Sequence, residues 1–154
     1  MRSSPAPLPA DQAVMVDAAR ELARMQLRLA TSLATADQTI DADRIPNDQI
    51  LSIQGQLSRR ERSRLRRLAR IGGHLPTLWQ AVENGLMGLS VLDNTTMAAS
   101  SARLTVGHLL MLDDIASELL DGDRWDPDDL TDRLRDAVWT LRPDELETHE
   151  QITT

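Results

Sequence analysis

The sequence predicts an all-α protein, a single helical domain of roughly six to eight helices with a long N-terminal helix. Three observations predict it. The chain has no Phe and no Tyr, and a core of Leu, Ala, Ile, Val and Met favours packed helices over a sheet. Apolar residues recur at steps of three and four rather than two. Residues that favour helix starts or helix ends recur along the whole chain. At 154 residues, one domain can bury a core of its own.

The first element is the long helix. Residues 1–10 are rich in proline and are predicted to form a disordered arm. From residue 11, apolar side chains follow one stripe, at Met15, Ala18, Leu22, Met25, Leu29 and Leu33. The stripe faces either the core of the domain or the same helix of a second copy. For the second case, we expect a dimer interface that contains Met15, Ala18, Leu22, Met25 and Leu29.

Two helices are predicted next. A short one follows Pro46 and ends at Gly55. The second begins at Ser58, because Ser58 and Glu61 have the spacing of a capping box, and it stops at Gly72–Gly73. Together they have the outline of a helix-turn-helix.

The second half of the chain predicts further helices. Pro76 and Gly85 bound a short one over 76–84, and helix is the favoured structure over 86–103. Residues 105–120 form another, with an apolar face of Val106, Leu109, Leu110, Leu112, Ile115 and Leu119. Asp126-Pro127 starts a helix that stops before Pro143, where 143–146 begins one more turn. The domain therefore spans 11–147, followed by a polar tail at 148–154.

Charge is strongly segregated along the chain. The formal net charge is -7, yet seven of its seventeen cationic residues lie in the helix predicted at 58–71. Its leucines share one side and most arginines the other. A cationic helix of this kind is typical of phosphate contact. We therefore expect a DNA-binding or DNA-associated regulatory module that contacts duplex DNA through Arg59, Arg62, Arg66, Arg67 and Arg70.

A second interpretation stays open. Residues 113–150 hold fourteen acids and four arginines, so the cationic helix can instead form ion pairs with this acidic half. The chain would then be a protein-interaction or regulatory module whose acidic half is the working surface. In an extreme form it would be an inhibitor whose acidic face imitates DNA.

The residue inventory argues against catalysis. The chain has no Cys, which excludes disulfides, thiol catalysis and thiolate metal sites. His74, His108 and His149 lack the spacing of metal ligands. We therefore expect a protein that is not an enzyme, with no metal and no cofactor. No apolar run is long enough to span a bilayer, and we expect a cytoplasmic protein.

Part of the sequence resembles a known family. Four segments carry the resemblance: Leu57-Ser58-Arg59-Arg60-Glu61, the Arg-Leu pattern that follows it up to Arg70, Leu75-Pro76, and Asn84-Gly85. They are similar to the domain-of-unknown-function 222 family, also called the 13E12 repeat family. Its members are helical domains found N-terminal to HNH endonuclease domains in actinobacteria. The resemblance implies a DNA-associated accessory domain, from a phage or mobile element, without the nuclease module.

Overall fold

The computed structural model describes residues 6–122 and 125–142. Within these ranges it contains seven α-helices and no strand, which confirms the predicted fold class. The helices are α1 (Ala10–Asp37), α2 (Asn47–Ile53), α3 (Arg59–Ile71), α4 (Pro76–Glu83), α5 (Leu89–Ser101), α6 (Val106–Leu120) and α7 (Pro127–Thr140), and a 3-10 turn, Gly72–His74, links α3 to α4. Residues 1–5 of the arm predicted at 1–10, the turn at 143–146 and the tail at 148–154 lie outside the described residues, and Ala10 of that arm is the first residue of α1.

Side chains cap several helices as their sequences predict. Ser58 Oγ accepts a hydrogen bond from the backbone N–H of Glu61 at 3.1 Å. The Glu61 carboxylate accepts from the Ser58 hydroxyl at 3.2 Å, rather than from the Ser58 backbone as a full capping box requires. Asp126 Oδ1 accepts from the N–H of Asp129 at 2.9 Å and starts α7. These local bonds satisfy N–H groups that have no partner inside their helices.

The helix α3 lies at the centre of the packing. It contacts α1 on one side and α5 on another, while α4 packs on α1 and α6, and α5 packs on α7. From α3 the core receives Leu65, Leu68 and Ile71, which are buried. Burial of this leucine-rich core is the main stabilising contribution to the fold.

The helix α1 uses a different face from the predicted stripe. Its buried residues are Ala23, Leu27, Ala30 and Leu33. This face packs against α3 and α4. Of the stripe, only Leu33 is buried and Leu29 partly so. Before Ala23, no residue of α1 is buried.

The helix α6 also departs from its predicted apolar face. Val106 and Leu110 are exposed, whereas Leu109, Leu112, Asp113 and Ala116 are buried. The reason is Asp113. Its carboxylate turns inward to accept two hydrogen bonds from Thr77 of α4, so the buried face of α6 includes a charged residue that an apolar pattern cannot predict.

Candidate functional site

The arginines of α3 divide into paired and exposed side chains. Arg62 lies close to α2, with its Nε 3.4 Å from Asp48 Oδ2 and its NH1 donating to the backbone oxygen of Leu57 at 2.7 Å. Its side chain is 18% exposed. A guanidinium held in this way stabilises the turn between α2 and α3 and offers little surface to a ligand.

Arg66 bridges two further elements. Its NH1 donates to Asp37 Oδ2 at 3.0 Å, and its Nε lies 3.5 Å from Asp48 Oδ1. Asp37 is the last residue of α1 and also accepts a hydrogen bond from Asn47 Nδ2 at 2.7 Å. Arg66 therefore ties α3 to the end of α1 and to α2.

Two arginines share one carboxylate on α5. Asp93 Oδ1 accepts a hydrogen bond from Arg67 NH2 at 3.3 Å, and Asp93 Oδ2 lies 3.3 Å from Arg64 Nε. The second approach is an ion pair without hydrogen-bond geometry, since Arg64 Nε has no hydrogen-bond partner. Arg67 and Asp93 are only 18% and 15% exposed. This cluster joins α3 to α5 in a partly dehydrated setting, where breaking a pair costs more than at the surface.

The predicted DNA contacts are therefore not one continuous face. Arg62, Arg66 and Arg67 form ion pairs with neighbouring elements, and of these three side chains Arg66 is the most exposed, at 42%. Arg59 is exposed, and Arg70 is exposed but donates to Ser100 Oγ at 3.2 Å. Arg60, which was not among the predicted contact residues, is exposed as well. No ion pair to a described residue is seen for these three, and they lie at the two ends of the helix.

The partners of the paired arginines differ from those expected. The sequence pointed to acids in 113–150, but the observed partners are Asp37, Asp48 and Asp93. Within the described part of the C-terminal half, acids form pairs along α7 instead, such as Asp129 with Arg133 at 3.1 Å. Sequence spacing carries no signal for pairs between distant elements, so these partners were not predictable.

The helices α2 and α3 follow each other as the helix-turn-helix outline predicts, but neighbouring helices pack against α3. A recognition helix exposes its outer face to base edges along the major groove. Here the middle of α3 is covered by α1 and α5, and its arginines are engaged by carboxylates from three elements. The first turn and the end of α3 are exposed, as is Ser63, and the side chains of Arg64 and Arg66 are still 40% and 42% exposed.

A second candidate surface is the exposed side of α1. Met15, Leu22 and Met25 are 65%, 64% and 48% exposed. With exposed Ala18 and half-buried Leu29, they follow the three- and four-residue spacing of the a and d positions of a heptad. We call these five residues the α1 seam. A seam of this spacing on an uncovered helix is typical of a surface that pairs with another helix.

Apolar grooves extend the α1 seam on both sides. A groove of about 460 Å³ lies between the end of α1 and α2 and is lined by Leu29, Ser32, Leu33, Ala36, Arg44, Ile45, Asn47, Ile50 and Leu51. A second groove of about 500 Å³ lies beside Leu22, where exposed Leu86 of the α4–α5 connection and partly buried Leu89 at the start of α5 form one wall. Leu29 belongs to both the seam and the first groove. The apolar surface therefore runs along α1 and onto α2.

Metal ligands and membrane spans are two further features that bear on function. No group of three or more His, Cys, Asp or Glu there is placed to hold a metal ion. Nor is any helix among them long and apolar enough to cross a bilayer. His108 acts in the cap of α6, where its N–H donates to Thr105 Oγ1 at 3.2 Å.

Comparisons of the chain with protein-family models, curated proteins and solved structures gave no match. The resemblance to the domain-of-unknown-function 222 family stays a prediction.

Proposed function

We propose that this chain is a non-catalytic protein-interaction module whose working surface is the α1 seam. The observation that carries the proposal is the exposure of Met15, Leu22 and Met25 on a different face of α1 from its buried residues. Contiguous exposed apolar side chains at helical spacing are the usual mark of a protein contact. The surface fits a partner helix, which inserts its own apolar residues between those of the seam.

The paired arginines support this choice over DNA binding. A phosphate that approaches Arg62, Arg66 or Arg67 must compete with a carboxylate already in place. Arginines in this arrangement hold the domain together, and the surface left for a partner is apolar. The interaction class matches the second of the two functions expected from the sequence, but its surface lies on α1 rather than on the acidic half.

The test is affinity capture with two matched variants. Leu22→Glu/Met25→Glu places charges on the α1 seam, and Val106→Glu/Met111→Glu places them on exposed apolar positions of α6. Proteins captured by the wild-type chain and by the α6 variant, but absent with the α1 variant, are the expected result. Full capture by the α1 variant, of other proteins and of a second copy of the chain alike, would contradict the proposal.

A DNA-associated role is the second candidate, supported by Arg59, Arg60 and Arg70. These exposed side chains leave a smaller cationic surface than the sequence predicted, at the two ends of α3. Phosphate contact through three arginines would be weak and would fall steeply with salt. The family resemblance of residues 57–85 points to the same role.

A further inference from the structure

We propose that the partner of the α1 seam is a second copy of this chain, packed with its α1 antiparallel. This inference rests on the proposed function and names its partner. An isologous contact places the same patch on both protomers, so the patch must complement itself. The order of residues along α1 and the position of the α1–α2 groove satisfy that requirement, as follows.

The register of an antiparallel α1 pair places the seam of each protomer against apolar surface of the other. When two α1 helices run antiparallel with Leu22 opposite the partner's Met25, Ala18 lies opposite the partner's Leu29 and Met15 opposite the partner's Ser32. Ser32 lines the apolar groove between α1 and α2. The exposed end of one seam therefore meets the groove of the other protomer, where the exposed side chains of Ile45 and Ile50 can cover Met15. In this arrangement the second copy buries the seam residues that the chain's own domain leaves exposed.

The charged residues that flank the seam also complement each other in an antiparallel pair. Glu21 and Arg28 occupy equivalent heptad positions beside the seam, one heptad apart. In an antiparallel pair, equivalent flanking positions face each other, so Glu21 of each protomer meets Arg28 of the other, twice by symmetry. Each side chain is exposed. Glu21 has a loose contact with Arg24 at 3.6 Å, and Arg28 NH1 lies 3.4 Å from Met25 Sδ, at the edge of the seam.

A parallel pair lacks this complementarity. In that orientation the position of Glu21 faces the position of Gln26 in the partner, and Arg28 faces Leu33, which is already buried in its own core. The N-terminal halves of the two helices would also face each other and leave both α1–α2 grooves open. Charge and groove position thus favour the same orientation.

The first experiment is sedimentation equilibrium of the full chain over about 1 to 200 µM, since a seam of two heptads has a small interface and modest affinity. We expect a monomer–dimer equilibrium. A dimer of Leu22→Glu/Met25→Glu would bury four charges, so the dimer affinity of this variant should fall by about 100-fold or more. The α6 variant Val106→Glu/Met111→Glu should leave the equilibrium unchanged. Circular dichroism of each variant checks that it is folded.

The second experiment tests orientation by charge exchange. Glu21→Arg brings two arginines together at each flank, and Arg28→Glu brings two glutamates together. Each variant alone should dimerise about three- to tenfold more weakly than the wild type, as expected for exposed pairs. The two variants mixed, and the double variant Glu21→Arg/Arg28→Glu, should recover wild-type affinity.

The outcomes separate this inference from the proposed function. A chain that stays monomeric at every concentration, or a dimer that both seam substitutions leave intact, overturns the second copy as partner. A dimer weakened by the seam variant but indifferent to charge exchange overturns the antiparallel orientation. The proposed function fails on a different result, when the α1 variant neither alters self-association nor loses any captured protein.

Discussion

Asp113 of α6 caps α4 from outside that helix. Its Oδ1 accepts from the backbone N–H of Thr77, and its Oδ2 from the Thr77 hydroxyl, both at 2.9 Å. Thr77 lies in the first turn of α4, directly after Pro76, where backbone N–H groups have no partner within the helix and a negative charge is favoured. The buried carboxylate thus fixes the start of one helix against the middle of another.

Removing this cap should destabilise the domain. In Asp113→Ala, the Thr77 N–H and hydroxyl lose their acceptor in a part-buried site, so we expect the free energy of unfolding to fall by about 1 to 3 kcal/mol. Urea denaturation followed by circular dichroism measures it. Asp114→Ala, at the exposed neighbouring position, is the control and should change stability by less than about 0.5 kcal/mol. Equal effects of the two substitutions would contradict the cap.

The Asp93 cluster should behave in a similar way. Asp93→Ala removes the carboxylate that Arg64 and Arg67 share. Because the Arg67 side chain is only 18% exposed, although that of Arg64 is 40% exposed, we expect a loss of about 1 to 3 kcal/mol. Asp132→Ala removes an exposed partner of Arg135 at 3.8 Å and should cost less than about 0.5 kcal/mol. The midpoint of urea unfolding compares the two. If Asp93→Ala were as mild as Asp132→Ala, the pairing of Arg64 and Arg67 with Asp93 would not stabilise the fold.

Two glycines should respond differently to alanine. Gly85 follows α4 with φ +72°, a left-handed conformation that costs a residue with a Cβ about 1 to 2 kcal/mol. Gly73 lies in the 3-10 turn, and a Cβ there would meet nothing within 4 Å. We expect Gly85→Ala to lower the midpoint of thermal unfolding and Gly73→Ala to leave it unchanged or raise it slightly. A similar shift for both would be at odds with this account.

DNA binding, where it occurs, should depend on the exposed arginines alone. We expect fluorescence anisotropy of a labelled duplex at low salt to show at most weak binding, abolished by moderate salt. Arg59→Ala/Arg60→Ala/Arg70→Ala should remove it. Tight binding that survives moderate salt, or that the triple variant retains, would favour the sequence-based expectation of a continuous phosphate-contacting face on α3.

The sequence predicted the helices well because their ends depend on local signals. Ser58, Asp126 and the Pro76–Gly85 boundaries act within a few residues, and the structure places helix ends at or next to them. The face of α1 that meets the core was not predictable in this way. Two apolar stripes run side by side on that helix, and only the shapes of α3 and α4 decide that Ala23 and Leu27 are buried while Leu22 and Met25 are exposed.

The candidate site shows the same division. Its apolar spacing was visible in the sequence, and the structure adds that most of it is uncovered. The roles of Arg62, Arg66 and Arg67 were not visible, because their carboxylate partners are twelve or more residues away and belong to other elements. The cluster of seven arginines predicted a binding face, which stays a prediction. The fold uses four of them, Arg62, Arg64, Arg66 and Arg67, in ion pairs that join its helices.

Hydrogen exchange along α1 tests the central claim most directly. We expect amides in 10–25 to exchange quickly in dilute protein, since Ala23 is the one buried residue of α1 in that range, and to gain protection at high protein concentration together with 45–50. Amides of α3 should exchange slowly at both concentrations. Protection of 10–25 that is already high in dilute protein, or that does not rise with protein concentration or with a captured partner, would contradict the assignment of the α1 seam as the working surface.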